Sequence, residues 1–376
     1  MRRILIYLLA TAVLLSGCSW MGGSYHSVTP HEEHTRTNVD EVVSAANYMQ
    51  LRSALEDMVR QGRENGVIHV ADFDQAQVQI SMDMAVRHVR GTFPIGAYAV
   101  EQIEYEIGTS SGRPAIAVEI SYLRSYVEIQ KIRTVEDMEG AMAVIAQTLE
   151  AHDTGVVLLV EQYEAVDIGQ MVENHALEYP DKVMEIPQVT TGIYPNEGAS
   201  RVVEVQLTYQ NSRESLRQMQ EQVEPLFTSA EMYVSADAGD HMKFTQLYTF
   251  LMERFNYQLD TSITPSYSLL RHGVGDSKAF ATVYAAMCRR AGLECMVVTG
   301  TRAGEPWFWN VVQDDGLYFH VDLLYCSERG MFLEYLDNDM TGYVWDYSGY
   351  PACDQGHVIP EATEETVPAD TEENLE

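Results

Sequence analysis

The stretch Gly275-Asp276-Ser277-Lys278-Ala279-Phe280-Ala281 decides how the C-terminal third of this chain is interpreted. Downstream of Ser277 the apolar residues return at helical spacing, and they are Phe280, Val283, Tyr284, Met287, Cys288 and Ala291. That spacing predicts a helix with one buried face, ended by Gly292. A second amphipathic helix is predicted upstream, where the same period links Phe244, Leu247, Tyr248, Leu251 and Phe255.

Three β-strands are predicted after this helix. Residues 293–299, 307–312 and 317–323 are rich in β-branched and aromatic side chains, and Gly300 is predicted to end the first strand. Gln313-Asp314-Asp315-Gly316 lies between the second and third strands, and Asp-Gly at such a position is typical of a tight hairpin. The expected unit is therefore a helix packed against an antiparallel sheet.

The order of these motifs resembles the transglutaminase-like superfamily, whose members share a papain-like fold. The superfamily's nucleophile motif, Gly-Asp-Cys-x-x-Phe/Tyr-Ala, is matched by residues 275–281, with Ser in place of Cys. Its Trp-Asn pair is matched by Trp309-Asn310, and its His-Val-Asp motif by His320-Val321-Asp322. The resemblance covers about residues 240–326 and implies a papain-like domain over residues 236–353.

The resemblance also assigns three site positions, and two of them carry a residue foreign to the motif. The nucleophile position falls on Ser277, the histidine position on Trp307 and the aspartate position on Asp322. A serine hydroxyl needs a neighbouring base, whereas an indole N–H can only donate a hydrogen bond. The resemblance therefore implies a vestigial triad, and we expect Ser277 to act as a helix cap or ligand contact. A set of Ser277, His320 and Asp322 is a weaker alternative, because the superfamily places that histidine outside its triad.

The N-terminus has the order of a secretory signal. Arg2 and Arg3 precede an apolar run over residues 4–15, which is too short to span a bilayer. The run ends in Leu15-Ser16-Gly17-Cys18, which resembles the bacterial lipobox, in which the cysteine is lipid-modified after cleavage. This implies a signal peptide over residues 1–18, lipid attachment at Cys18 and an extracytoplasmic location at the cell membrane. An uncleaved core helix or an ordinary secreted signal are the alternatives.

The charge of the chain restricts its partners. It has 24 Lys and Arg against 56 Asp and Glu, a formal net charge of −32. Such a surface is repelled by nucleic acids and by anionic lipid headgroups, so neither is an expected ligand. Residues 19–40 are polar and are predicted to form a tether. Residues 354–376 contain eight acidic residues and no Lys or Arg, and are predicted to be disordered.

The cysteines do not indicate a disulfide scaffold or a zinc site. Cys288 and Cys295 lie in apolar sequence and are predicted to be buried thiols. Cys326 and Cys353 are candidates for a disulfide. No feature of the sequence calls for a metal or an organic cofactor.

The middle of the chain contains two similar segments. Phe93-Pro94 and Tyr179-Pro180 are 86 residues apart, and Ile120-Ser121-Tyr122 and Leu207-Thr208-Tyr209 are 87 apart. A constant offset favours a duplication, although a single larger α+β domain remains open. The predicted repeats are residues 41–150 and 151–235.

Together these patterns predict an α+β protein with two small repeats and a papain-like domain. The favoured function is binding or scaffolding at the cell envelope, with Trp307 and Trp309 among the binding residues and a protein, peptide or glycan as ligand. One alternative is a weak hydrolase or acyltransferase of protease or amidase type that uses Ser277. The other is a structural spacer whose binding surface lies in the duplicated middle.

Overall fold

The computed structural model describes residues 43–259, 262–330 and 332–353. The predicted signal peptide, the tether, Cys18 and the acidic tail all lie outside the described residues. Within those ranges, no helix combines the length and the apolar character needed to cross a membrane.

The first region is a four-stranded sheet covered on one face by two helices. Its elements are β1 (Val43–Ser44), α1 (Tyr48–Arg60), β2 (Asn65–His69), α2 (Val78–Gly91), α3 (Pro94–Ala99), β3 (Val100–Ser110) and β4 (Arg113–Tyr122). The strand order is β1-β2-β4-β3, with β1 parallel to β2 and the other pairs antiparallel. Leu55 of α1 and Met82 of α2 are fully buried against Ile116 and Ile120 of β4.

The second region has a sheet of the same connectivity. Its elements are α4 (Tyr126–Gln130), β5 (Arg133–Asp137), α5 (Met138–Glu150), β6 (Gly155–Gln162), α6 (Ile168–Glu178), β7 (Gln188–Tyr194) and β8 (Arg201–Thr208). The order is β5-β6-β8-β7, and again the first pair is parallel and the others antiparallel. The α+β class is confirmed, whereas an origin by duplication stays a prediction.

The predicted boundary between the repeats at residue 150 falls inside the second region. Strand β5 pairs with β6, and Ile145 and Leu149 of α5 pack in the same core as Leu158 and Val203. The five-residue strand β5 was too short to show a period in the sequence. The helix that follows it therefore looked like the end of the first repeat.

The C-terminal domain consists of helices around a second antiparallel sheet. Its elements are α7 (Arg213–Tyr233), α8 (Asp240–Met252), β9 (Asn256–Tyr257), α9 (Pro265–His272), β10 (Val274–Gly275), α10 (Ser277–Arg290), β11 (Cys295–Arg302), β12 (Glu305–Asp314), β13 (Leu317–Val321), α11 (Leu323–Glu328), β14 (Tyr343–Trp345) and a 3-10 turn (Tyr347–Gly349). The sheet order is β13-β12-β11-β14, and every neighbouring pair is antiparallel. The predicted hairpin after β12 is confirmed, with Asp315 and Gly316 at positive φ.

Helix α7 places the start of this domain earlier than the predicted residue 236. Its residues Leu216, Val223 and Phe227 are fully buried in the core that also contains Phe244 and Phe280. The helix thus packs with the C-terminal domain rather than with the second repeat, which the sequence could not show because amphipathic spacing does not identify the partner.

Helix α10 is buried more completely than one apolar face predicts. All of its residues are buried except Lys278, Arg289 and Arg290. It packs against the sheet through β11 and β12 and against α7, α8 and α9 on other sides. Because α10 is held on several sides, Ser277 in its first turn has a fixed position relative to the sheet.

The four cysteines of the described residues are thiols in the structure. Cys326 Sγ accepts from the N–H of Glu334 at 3.4 Å, and Cys353 Sγ donates to the carbonyl of Pro351 at 3.7 Å. The predicted disulfide between Cys326 and Cys353 is therefore absent from this structure.

Candidate functional site

Helix α10 begins at Ser277, and the preceding residue caps it. Asp276 has extended backbone angles (φ −86°, ψ −178°), and its Oδ1 accepts a hydrogen bond of 2.9 Å from the N–H of Ala279. The predicted capping role of Ser277 is therefore wrong, because the carboxylate of Asp276 already satisfies the helix N-terminus. Ser277 lies in the first turn and is 6% exposed.

The hydroxyl of Ser277 makes a structural contact with the sheet. Its Oγ accepts a hydrogen bond of 3.3 Å from the backbone N–H of Phe308. In the part of the chain that the structure describes, no imidazole or carboxylate is hydrogen-bonded to this hydroxyl. The space between Ser277, Phe308, Asn310 and Asp322 has no room for a water molecule.

Trp307 lies on β12 and makes the contact with Asp322 that a histidine would make. Its Nε1–H donates a hydrogen bond of 2.8 Å to Oδ2 of Asp322. The same oxygen accepts a bond of 2.6 Å from the hydroxyl of Tyr343. Oδ1 accepts from the N–H groups of Leu324 and Tyr325, at 3.0 and 3.1 Å, and so caps α11. The carboxylate is 1% exposed and is held by four donors, none of which can accept a proton from Ser277.

Arg302 adds a charge beside this carboxylate. Its Nη1 lies 3.9 Å from Oδ2 of Asp322, and its Nη2 forms an ion pair of 2.7 Å with Glu328. The guanidinium lies 5.0 Å from the centre of the Trp307 ring. Although burial opposes its charge, the carboxylate of Glu328 gives the main rise in the pKa of Arg302, with Tyr343 and Asp322 adding to it. Burial raises the pKa of Tyr343, and the charge of Asp322 adds to that effect, so its phenol is a donor here.

Arg302 and Tyr343 were missed by the sequence analysis. They face each other as partners in the pairing of β11 with β14. Neither residue belongs to a motif, and β14 has only three residues, so no periodic signal could have found it.

His320 belongs to a different hydrogen-bond network. Its Nδ1 accepts a bond of 3.0 Å from Nε1–H of Trp309, and its Nε2 lies 3.0 Å from Oδ1 of Asn338. These contacts assign the proton to Nε2, and burial lowers the pKa of His320. Both ring nitrogens are occupied, so the alternative set of Ser277, His320 and Asp322 is wrong.

Trp309 is a core residue rather than a ligand contact. It is 1% exposed and packs edge-to-face against the rings of Tyr343 and Trp345. Its predicted role as a binding residue is therefore wrong in this conformation. Trp307, by contrast, is 9% exposed and lies under the ring of Tyr257, with 5.8 Å between the ring centres.

The position of Asn310 explains why the Trp-Asn pair matters to the fold. Its Nδ2 donates to the carbonyl of Ala281 at 2.9 Å and to that of Met296 at 3.3 Å. The side chain thereby ties α10 to two strands of the sheet. Its Oδ1 is buried without a hydrogen-bond partner among the described residues.

Ser277, Trp307, Asn310 and Asp322 lie within a stretch that sequence comparison recognises. Residues 229–335 match the sequence model of the transglutaminase-like superfamily. The chain carries a transglutaminase-like domain. The matched range contains Ser277, Trp309 and Asp322, and it includes the last turn of α7.

Three solved structures are similar to the chain at low identity. One is a TGase, 12% identical over 59% of this chain and 66% of its own length, just under two thirds, with a TM-score of 0.25. A proposed cysteine protease from Cytophaga hutchinsonii is 12% identical over 43% of this chain and 79% of its own, with a TM-score of 0.24. A proposed protease from Parabacteroides distasonis is 9% identical over 72% of this chain and 42% of its own, with a TM-score of 0.24. A search of curated proteins found no match.

The three positions that the motif resemblance assigns to a triad lie on adjoining elements of the transglutaminase-like domain. Ser277 contacts β12, and Trp307 of that strand contacts Asp322. Across the described ranges, no cluster of three or more His, Cys, Asp or Glu side chains is arranged to hold a metal ion. What the arrangement offers chemically is a hydrogen-bonded carboxylate at Asp322 and a serine hydroxyl without a neighbouring base, with an aromatic surface at the edge.

Proposed function

We propose that this chain is a lipid-anchored envelope protein whose transglutaminase-like domain binds a partner and does not catalyse acyl transfer or hydrolysis. One observation carries the proposal. The residue at the histidine position, Trp307, donates its only polar hydrogen to Asp322, and the Ser277 hydroxyl accepts from a backbone N–H. The site therefore holds a nucleophile position without a base.

Acyl transfer by a serine requires removal of its proton as the bond forms. A general base must lie within about 2.6–3.2 Å of the hydroxyl, directly or through one water. The only hydrogen bond to Ser277 Oγ within the described residues comes from Phe308, and the adjoining space is too small for a water molecule. Loss of one member of a catalytic triad commonly removes several orders of magnitude in rate. Here two members are replaced.

The edge of the same site offers a surface for binding. Tyr257 is 41% exposed and covers Trp307. Phe308 is half-buried, and the ammonium group of Lys278 lies 5.2 Å from the centre of its ring. An exposed tyrosine ring, and a half-buried phenylalanine ring beside a basic group, are suited to peptide side chains and to the apolar faces of sugars. This surface supports a protein, peptide or glycan as ligand.

The first test is of catalysis. The purified protein is offered amide and ester substrates and a serine-reactive fluorophosphonate, with Ser277→Ala as control. We expect no turnover and no labelling at Ser277. Turnover that disappears in Ser277→Ala would establish the alternative hydrolase. The double variant Ser277→Cys with Trp307→His restores the superfamily residues. Iodoacetamide labelling of the new thiol at position 277 in that variant alone would show that the backbone of the site still supports a reactive nucleophile.

The second test is of binding. Envelope proteins and glycans are captured on the purified protein and on the variants Tyr257→Ala and Phe308→Ala. Leu123→Ala is the matched control, because Leu123 is 63% exposed and lies outside the transglutaminase-like domain. We expect the two aromatic variants to lose the partner and the control to keep it. If Tyr257→Ala and Phe308→Ala instead keep the partner and Leu123→Ala loses it, the result would support the spacer hypothesis, with binding in the duplicated middle.

Lipid attachment is tested separately, because Cys18 lies outside the described residues. Cells fed an alkyne-labelled palmitate should label the chain, and Cys18→Ser should abolish the label and release the protein from the membrane fraction. Several buried acyl chains hold a protein firmly, since each methylene contributes about 0.8 kcal/mol. Membrane retention of Cys18→Ser would contradict the anchor.

A further inference from the structure

The sheet of the first region has one face that the described residues leave open to solvent. Helices α1 and α2 cover the side to which Ile116 and Ile120 point. Side chains in alternation with these point to the other side and are exposed, and they are Asn65 and Val67 of β2, Gln102, Glu104 and Glu106 of β3, and Ala117, Glu119 and Ser121 of β4. The second sheet is covered on this side, since Val202 is fully buried against Tyr98 and Ala99 of α3.

Strand β3 forms one edge of the first sheet, and the direction of its backbone groups follows from its register. The N–H of Ile120 donates to the carbonyl of Glu64 at 2.7 Å, on the side of β2, so the odd-numbered residues of β4 turn their backbone groups towards β3. These residues pair with the even-numbered residues of β3, as Glu119 does with Glu104. The odd-numbered residues of β3 therefore turn their N–H and C=O groups away from the sheet.

The outward groups along the second half of β3 belong to Tyr105, Ile107 and Thr109. Among the residues that the structure describes, no hydrogen bond reaches these groups, and residues 106–109 are all exposed. The pairing with β4 is regular from residue 102 to residue 110. The strand is also held from the covered side, where the hydroxyl of Tyr105 donates a bond of 2.5 Å to Asp83 of α2. A regular, unpaired edge of this kind is a template for a further strand.

The open face beside this edge is acidic. Glu104 and Glu106 of β3 are exposed, and Glu119 of β4 lies directly opposite Glu104. Like charges opposite each other on neighbouring strands are destabilising, and the bond of 2.7 Å that Gln102 donates to Glu104 does not neutralise them. Arg113 is the only Lys or Arg of the four strands, and it lies at the hairpin turn. Cations placed along the edge of β3 would therefore relieve a repulsion that the chain itself leaves in place.

We propose that the edge of β3 binds an extended basic segment of another protein, which adds a fifth strand to this sheet. The backbone groups of Tyr105, Ile107 and Thr109 supply the hydrogen bonds, and Glu104 and Glu106 select Lys or Arg at alternate positions of the segment. The residues between these positions are apolar, because they face Tyr105 and the exposed Ile107 on the covered side. The surface lies in the first region and does not rest on the proposed function of the transglutaminase-like domain.

A second copy of this chain fits the edge less well than a basic partner does. Two antiparallel copies of β3 would bring Glu104 and Glu106 of both copies to one open face, where like charges repel. The net charge of −32 on each chain adds a repulsion at longer range. The same charge steers a basic partner towards the protein.

The test uses the full chain, extracted in detergent, and a short fluorescent peptide of alternating lysine and valine. We expect the anisotropy of this peptide to rise on binding, and that of a matched peptide of alternating glutamate and valine to stay unchanged. Two further peptides carry N-methyl groups on all valines or on all lysines. An added strand turns only one of these two sets of N–H groups towards β3, so one methylated peptide should lose binding and the other should keep it.

Variants of the protein test the same edge. Ile107→Pro removes one outward N–H without touching the bonds to β4, as proline is tolerated at a free edge, and Ile107→Val is its matched control. Glu104→Lys with Glu106→Lys reverses the charge of the edge. Glu214→Lys with Glu221→Lys makes the same change of net charge at two exposed positions of α7. We expect the Kd of the lysine peptide to rise at least about tenfold in Ile107→Pro and in the β3 reversal, and to stay within about twofold of wild type in both controls.

Three outcomes would overturn the proposal. Absence of binding by the lysine peptide, or equal binding of the two methylated peptides in wild-type protein, would show that no strand is added. Equal losses in the β3 and α7 charge reversals would show that net charge alone attracts the peptide. A dimer of the wild-type chain that Ile107→Pro dissociates would identify a second copy, in place of a basic partner, as the occupant of the edge. The methylated peptides are compared on wild-type protein, so that result does not depend on whether a variant folds.

Discussion

Trp307 makes one half of the hydrogen bonding expected of a catalytic histidine at its position. A catalytic imidazole donates to a carboxylate through one nitrogen and accepts a proton at the other. The indole of Trp307 still donates to Asp322, but it has no second nitrogen. Asp322 therefore keeps a hydrogen-bond donor in the core, while Trp307 offers no basic nitrogen. One substitution at this position thus separates the structural role of the pair from its chemical role.

We expect Trp307→Phe to lower the free energy of unfolding by about 1–3 kcal/mol, because it leaves a buried carboxylate with one donor fewer. Trp345→Phe is the matched control, since Trp345 is also buried and its indole N–H has no hydrogen bond among the described residues. Urea unfolding of both variants measures the difference. Equal losses in the two would show that ring volume, and not the bond to Asp322, is responsible.

His320 predicts a pH dependence of stability. Its pKa is lowered by burial from 6.5, so the unfolded chain takes up the proton first as pH falls. The stabilisation from neutral His320 is complete above the pKa that the histidine has in the unfolded chain. It is lost as pH falls through that pKa towards the lower pKa of the folded protein. His320→Gln keeps an acceptor for Trp309 and a donor for Asn338 but cannot titrate. We expect a smaller loss of unfolding free energy between about pH 7.5 and about pH 5.5 in this variant. His272→Gln, at an exposed histidine, should leave the loss as in wild type, and an unchanged loss in His320→Gln would contradict the assignment.

At the scale of single elements, Gly300 shows how a strand can depend on an absent side chain. The sequence predicted that this glycine ends its strand, whereas β11 continues to Arg302. A Cβ at Gly300 would lie 2.3 Å from the carbonyl oxygen of Val344 and 2.7 Å from the ring of Trp309. The residue is glycine because β14 and Trp309 both approach it closely.

Gly300→Ala should therefore lower the free energy of unfolding by about 1–3 kcal/mol, the usual cost of overpacking a core. Gly108→Ala is the matched control, because Gly108 also lies in a strand and a Cβ there meets nothing within 4 Å. That substitution should be neutral or stabilising by roughly 0.5 kcal/mol. Denaturant unfolding compares the two. A similar effect at both positions would mean that backbone freedom, and not the contact with β14, sets the cost.

The elements that the sequence predicted are those with a local signal. The apolar period after Ser277 predicted α10, and Asp315-Gly316 predicted the hairpin between β12 and β13. The site was predictable in its three triad positions, since these follow from motif order. Arg302 and Tyr343 were not, because their contact depends on β14 returning to the sheet edge from outside any motif. Periodicity also left open which core a helix joins, as α7 shows.

At the scale of the described chain, each region contacts the next through the segment that follows the second of its two long helices. In the first region this segment is α3, whose Tyr98 and Ala99 are buried against Val202 of the second sheet. In the second region it follows α6, where the carbonyl of Pro180 accepts a bond of 3.1 Å from Ser266. The paired Phe93-Pro94 and Tyr179-Pro180 positions thus lie at the two junctions. Their similarity in sequence corresponds to a similarity in how neighbouring regions are joined.

The second junction is also held by charge. Nη2 of Arg289, on α10, lies 2.6 Å from Oδ1 of Asp181, and its Nη1 donates to the carbonyl of Glu178. The side chain of Asp181 is 10% exposed, so water screens this pair less than an ordinary surface pair. The guanidinium also lies 4.3 Å from the centre of the Tyr179 ring. These contacts connect the helix that carries Ser277 to the second region.

We therefore expect a double-mutant cycle on Arg289→Ala and Asp181→Ala to give a coupling of about 0.5–1.5 kcal/mol in unfolding free energy. The cycle on Arg213→Ala and Asp153→Ala is the matched control, because that pair has a distance of 2.8 Å but both side chains are nearly half exposed. Its coupling should stay below about 0.5 kcal/mol.

If the junction transmits stability, Arg289→Ala should also make the two parts of the chain unfold at different denaturant concentrations. Tryptophan fluorescence follows the unfolding of the transglutaminase-like domain, and circular dichroism follows the loss of total helix. Apart from Trp20, every tryptophan of the chain lies in that domain, so the two signals distinguish its unfolding from that of the sheet regions. Coincident transitions in the variant, with equal coupling in both cycles, would mean that apolar packing alone joins the regions.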